Sequence, residues 1–134
     1  MRILVIEDDM ANRSYLGSVL ARYGDVIDVE RATPGLDAFF EGHVQKNPLD
    51  VIFLDVGLDG LNGYQVEKEI RQFEAEHEVP QRDRVRIVMA TGALLLEEVL
   101  KGFQLGCDLY LPKPFTREQV QGTMRELGYS LPSV

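Results

Sequence analysis

Residues 3–9 read Ile3-Leu4-Val5-Ile6-Glu7-Asp8-Asp9: four apolar side chains that break straight into three acids. The run falls far short of the about 20 apolar residues that span a membrane and of the about 7–15 in a signal peptide's apolar core. Its length is that of a β-strand, and its lack of polar–apolar alternation is what a strand buried on both faces shows. Runs of the same kind recur at Val26–Val29, Val51–Leu54, Val85–Met89 and Leu109–Leu111.

The intervening segments have helical spacing. Leu16, Val19, Leu20 and Tyr23 share a face, with Gly24 as a stop; Leu36, Phe39 and Phe40 follow the start signal Thr33-Pro34-Gly35. Tyr64 or Val66 with Ile70 and Phe73 make a third face, ended before Pro80. Leu96, Val99, Leu100 and Phe103 make a fourth, ended at Gly106, and Val120, Met124 and Leu127 a fifth, ended at Gly128. Strands that alternate with helices in this way predict an α/β fold, a five-stranded parallel sheet with five helices on both faces.

The 134 residues suit one domain, without repeats or low-complexity linkers. A balance of 14 basic to 22 acidic residues, net −8, argues against nucleic-acid or anionic-membrane binding. The single Cys107 excludes an internal disulfide, and with His43 and His77 distant in sequence no zinc cluster is legible. These features fit a reducing cytoplasm.

Ligands of open parallel sheets bind beyond the carboxyl ends of the strands. There the sequence places Glu7 and Asp8 after the first strand, Asp55 after the third, Thr91-Gly92 after the fourth and Lys113-Pro114 after the fifth. Three carboxylates gathered at one edge repel unless a cation holds them, and an all-oxygen set points to Mg²⁺ or Mn²⁺. A carboxylate beside such a cation and a lysine is a nucleophile toward phosphorus, yielding an aspartyl phosphate.

The blocks ILVIEDD, VIFLDVGLDGLNG, VMATG and YLPKPF resemble, in order and spacing, those of response-regulator receiver domains, and together they cover essentially the whole chain. The resemblance implies a flavodoxin-like doubly wound (βα)5 fold with strand order 2-1-3-4-5. It implies a phosphorelay switch, chemotaxis-regulator-like, whose only chemistry is its own phosphorylation and slow hydrolysis. Asp55 matches the phosphoacceptor. Glu7 and Asp8 match the metal-holding pair, and Gly57 the position whose backbone carbonyl completes the metal shell. Thr91 matches the switch hydroxyl, Lys113 the lysine that pairs with the phosphoryl group, and Tyr110 the aromatic that turns inward. Lys113-Pro114 matches a bond that is cis in the family. A histidine kinase or phosphotransfer protein is the implied donor. A downstream protein is expected on the face of the fourth helix, fifth strand and fifth helix, with Leu95, Val99 and Tyr110 lining it; a homodimer stays open. Residues 1–128 are expected to form the receiver and 129–134 a short tail without an effector domain.

Several positions depart from the family pattern. Asp59 replaces a proline, Asp108-Leu109 replaces an acidic pair used in one dimer face, and Gly57 and Ala93 occupy the positions that tune dephosphorylation. Two other readings stand beside the switch: a receiver that never sees phosphate and serves as an interaction module, and a Mg²⁺-dependent phosphohydrolase. The second needs an acid two residues after the nucleophile, where this chain has Gly57. Asp9 is expected to cap the first helix, Cys107 to be a small core residue, and His43 and His77 to be surface residues. Arg82, Arg84 and Arg86 are expected to be compensated by Glu74, Glu76, Glu78 and Asp83 in a long, mobile connection. Leu94-Leu95-Leu96 cannot all bury on one helical stripe, so at least one is expected in solvent.

Overall fold

The computed structural model describes residues 1–57, 62–92 and 95–131. Its elements are β1 (Arg2–Ile6), α1 (Met10–Leu20), β2 (Asp25–Val29), α2 (Ala32–Val44), β3 (Val51–Asp55), α3 (Gly63–Glu76), β4 (Arg86–Thr91), α4 (Leu96–Leu105), β5 (Leu109–Pro112) and α5 (Arg117–Glu126), with a short 3-10 turn at Gln81–Asp83. All strands are parallel, in the order β2-β1-β3-β4-β5.

The central strands alternate between two apolar layers, which is why they carry no polar face. Leu4, Ile6, Ile52, Leu54, Ile87 and Met89 meet Leu36 and Phe39 of α2 and Tyr64, Val66 and Ile70 of α3. Ile3, Val5, Val51, Phe53 and Val88 meet Leu16, Val19 and Leu20 of α1 and Val120 and Met124 of α5. β2 is an edge strand, and its Val26, Ile27 and Val29 are only half-buried. Tyr129, assigned from sequence to the tail, packs against the α1–α5 layer.

Helix starts follow local chemistry. Asp9 accepts from Asn12 N at 2.8 Å and caps α1, as its sequence position predicts. Asn62–Gln65 and Thr116–Gln119 form reciprocal capping boxes for α3 and α5. α4 has neither device: Leu95 at its start makes no side-chain cap, and Gly106 ends it in the left-handed conformation, φ 109°.

α4 overturns one expectation. Leu96, Leu100 and Phe103, placed on the core face from their spacing, are 73%, 51% and 46% exposed. Val99 and Leu105 are half-buried, and Gly102 is the buried residue of the helix. Periodicity establishes that an apolar stripe exists, not which side of it another element covers. Leu95 is also exposed, in line with the crowding argument, whereas Leu94 lies outside the described residues.

The long α3–β4 connection is pinned rather than self-compensated. Glu74 is buried, pairs with Arg71 at 2.7 Å and accepts from Val85 N at 2.8 Å. Arg84 Nε donates to the Val79 carbonyl, and Arg86 pairs with Asp108 at 3.7 Å, so neither arginine meets the acids first matched to it. Of the histidines, His77 is exposed, as its sequence reading expects, and only His43 departs from it. His43 is half-buried edge-on to Phe39, 4.9 Å between centroids, while His77 stacks on Phe73 at 4.0 Å. Cys107 is buried at the turn into β5. Among the described residues no helix is long and apolar enough to cross a membrane.

Candidate functional site

Parallel strands bring their carboxyl ends to one edge, and adjacent strands β1 and β3 bring the acids there together. With Ile6 opposite Leu54, the residues that follow are Glu7 and Asp55. One carboxylate oxygen from each of Glu7, Asp8 and Asp55 lies within 4.8 Å of the others, a grouping that fits a hard divalent cation. Glu7 and Asp55 are buried and Asp8 is exposed, so the cluster opens to solvent on the Asp8 side.

Lys113 spans the two buried acids. Its Nζ donates to Glu7 Oε1 and Oε2 at 2.9 and 3.0 Å and lies 3.2 Å from Asp55 Oδ1. Backbone pairing puts it there, because Lys113 N donates to the Thr91 carbonyl at 2.8 Å. The Lys113–Pro114 bond is cis, as the resemblance implied. Thr91 is the last residue of β4 rather than the first after it, and it is buried.

The environment separates the two buried acids electrostatically. Burial raises Glu7 to about 7, and the neighbouring Asp55 outweighs enough of the Lys113 attraction to keep it there. Burial also works on Asp55, but the Gly57 N–H at 3.0 Å, a hydrogen bond from Glu7 and the Lys113 charge hold it below the usual carboxylate range. Lys113 is raised: desolvation favours its neutral form, and the two carboxylates override it. The result is an ionised Asp55 beside a charged lysine, with Glu7 more readily protonated than an ordinary glutamate.

The sequence reading missed several positioning residues. Asn12 Nδ2 donates to Glu7 Oε1 at 3.2 Å and Arg13 Nη1 to the Glu7 carbonyl at 3.0 Å. Gly63 donates its N–H to the Val56 carbonyl, and a Cβ there would stand 2.6 Å from the Asp55 carbonyl oxygen. The closeness of α3 to the Asp55 turn thus requires glycine. Only the pattern Asn62-Gly63 before a helical run hints at this in the sequence.

Tyr110 points into the molecule under α4. Its hydroxyl and that of Tyr64 both donate to the Glu98 carbonyl at 3.0 Å and lie 3.5 Å apart. Burial raises both phenols. Leu95 is exposed and Val99 half-buried on the same side. Asp59 and Ala93, two of the departures, lie outside the described residues. Gly57 presents its N–H to Asp55.

The profile of the response regulator receiver domain matches residues 3–125. The chain is 34% identical over 128 residues to the transcriptional regulatory protein QseB of Escherichia coli O157:H7, covering 95% of this chain and 52% of that one. It spans about half the length, or less, of the curated relatives it matches. Among solved structures, it superposes with TM-score 0.80 and 25% identity on the Saccharomyces cerevisiae co-crystal of the histidine phosphotransfer protein Ypd1 with the receiver domain of Ssk1, covering 96% and 88%. The receiver domain of the Arabidopsis thaliana histidine kinase CKI1, complexed with Mg²⁺, matches with TM-score 0.78 and 26% identity, covering 94% and 90%. The chain belongs to the response regulator receiver domain family of two-component signalling.

Proposed function

We propose that Asp55 is the phosphoacceptor of a signalling switch fed by phosphohistidine on a kinase or phosphotransfer protein. The observation that carries this reading is the pairing of a depressed, buried Asp55 with Lys113 inside a three-carboxylate cluster. Glu7, Asp8, Asp55 and the Gly57 carbonyl would hold Mg²⁺ or Mn²⁺, which supplies positive charge for the phosphoryl oxygens when bound. The Asp55 carboxylate attacks phosphorus; the new O–P bond forms as the histidine N–P bond breaks, and the freed imidazole takes a proton from solvent. The Gly57 N–H and Lys113 orient the carboxylate, and Lys113 neutralises charge on the transferred group.

Thr91, at the end of β4, then hydrogen-bonds the phosphoryl group, and Tyr110 repacks beneath α4. The output surface is the α4–β5–α5 side, lined by Leu95, Val99 and Tyr110 and extended by the exposed Leu96, Leu100 and Phe103. Residues 1–128 act as the receiver unit, toward a downstream protein partner rather than nucleic acid.

The test is intact mass after acetyl phosphate, with and without Mg²⁺, for wild type and Asp55→Asn. The expected result is a Mg²⁺-dependent gain of one phosphoryl group, about 80 Da, absent in the variant. No gain from acetyl phosphate or from a phosphorylated phosphotransfer protein would overturn the reading in favour of a phosphate-independent interaction module.

A further inference from the structure

Glu67 of α3 is fully buried, and its carboxyl oxygens make no well-formed hydrogen bond, with only weak approaches from the Cys107 thiol and N–H. Among the described residues no other buried side-chain nitrogen or oxygen is orphaned in this way. Buried polar groups are nearly always paired, because an unpaired one forfeits its hydration without return.

The usual partner stands one turn on. Arg71 is four residues away, the spacing at which a glutamate and an arginine pair along a helix. Its guanidinium is instead engaged elsewhere. Nε donates to the Gly106 carbonyl at 2.9 Å, Nη1 to Glu74 and to the Val85 carbonyl at 2.7 Å each, and Nη2 to Asp108 at 3.2 Å. The other facing groups are committed too. The Cys107 N–H donates chiefly to the Gly102 carbonyl and, with its thiol, reaches Glu67 only weakly, and the Tyr64 and Tyr110 hydroxyls go to Glu98 O. Lys101 of α4 lies 5.0 Å over the Tyr64 ring, and Arg86 of β4 pairs with Asp108.

A carboxyl so placed avoids its charged form. Burial, with Asp108 adding to it, pushes Glu67 up to about 7 against the pull of Arg71 and Cys107. Its neighbours Tyr64, Cys107 and Tyr110 all feel its charge. These are the groups that seat α4.

We propose that Glu67 is a proton-gated support of the α3–α4 contact. Neutral, it stays in the core beneath the junction of Tyr64, Tyr110 and the Glu98 carbonyl. Ionised, it must leave the core or draw a donor away from that junction, and α4 re-seats. The proton is exchanged with solvent, and no covalent step is involved. The folded state holds this proton more tightly than the unfolded chain. The stabilisation is therefore complete below the unfolded value of 4.5, declines as pH rises, and is gone above about 7. The proposal goes beyond the acceptor chemistry and does not require it: it predicts a response in the unphosphorylated chain.

The experiment is carbon-detected NMR of the full chain from pH 5 to 9, with Mg²⁺ present, following the Glu67 carboxyl and the Gly102 and Tyr110 amides. We expect a carboxyl midpoint near 7, with both amides moving at the same midpoint. In Glu67→Gln, or in Glu67→Met should the glutamine variant fold poorly, those amide shifts should disappear. The folding constant of the wild type should also fall by roughly tenfold or more relative to the variant between pH 5.5 and 8. A carboxyl midpoint near 4.5 would overturn the proposal. So would amides of Gly102 and Tyr110 that stay still in the wild type or keep moving in both variants.

Discussion

Tyr110 occupies the space that a side chain at position 102 would need: a Cβ built on Gly102 overlaps Tyr110 Oη and stands 2.8 Å from Cζ. The inward tyrosine and the glycine of α4 are therefore one feature. The glycine costs the helix roughly 1 kcal/mol of propensity relative to alanine, and the seat for the phenol offsets that cost.

Gly102→Ala is expected to expel Tyr110 from beneath α4. Overpacking of this kind costs about 1–3 kcal/mol, partly masked by the better helix former. Chemical denaturation of Gly102→Ala, Tyr110→Ala and the double variant measures it. The alanine should destabilise the wild-type background and be neutral or stabilising where Tyr110 is already removed.

Gly63→Ala is expected to damage the acceptor end of the sheet. Its Cβ would stand 2.6 Å from the Asp55 carbonyl oxygen and 2.8 Å from Val56 Cα, both backbone atoms that cannot swing aside. A stability loss of about 1–3 kcal/mol should accompany slower phosphorylation in the mass assay. An unchanged rate would show that the β3–α3 approach is not needed to orient Asp55.

Mg²⁺ should stabilise the chain by mass action. At a concentration 100 times the dissociation constant the gain is about 2.7 kcal/mol, which for a chain of 134 residues is several degrees of melting temperature. Asp8→Asn should abolish most of the shift, whereas Glu118→Gln, on exposed α5 surface, should leave it intact. Equal shifts in all three proteins would place the metal elsewhere.

His43 sets a pH dependence opposite in sign to that of Glu67. Burial lowers its basicity, so the unfolded chain binds the proton more readily. Its contribution is whole above the unfolded value of 6.5 and is lost as pH falls below it. His43→Phe keeps the aromatic contacts with Phe39 and Phe73 and removes the titration. Denaturation at pH 7.5 and 5.5 should show wild type losing more stability than the variant, and parallel losses would refute the assignment.

The central strands β1, β3 and β4 were legible because burial on both faces leaves an apolar run, and the acids at the ends of β1 and β3 because nothing in a strand's packing asks for charge there. Asp9 was legible as a cap for the same local reason. α4 was misread on orientation, since Leu96, Leu100 and Phe103 have core spacing but face solvent. Glu67 and Glu74 were invisible: an acid on a helix is ordinarily solvated, and only tertiary packing buries these two. The roles of Gly63 and Gly102 were hidden too, because close approach of another backbone or ring leaves no mark on a sequence beyond the glycine itself.

α4 begins without a side-chain cap and buries only Gly102. Undocking it would uncover Leu105 and Tyr110 at the margin of one apolar layer and leave the α1–α5 layer intact, so it opens at less cost than a helix that seals a core layer. Leu96 and Leu100, 73% and 51% exposed, each forgo only a part of the about 1.5–3 kcal/mol that full burial of a leucine contributes. A partner that covers Leu96, Leu100 and Phe103 supplies that missing burial. The energy to hold α4 in a new position then comes from the complex, and the sheet carrying Asp55 need not deform to provide it.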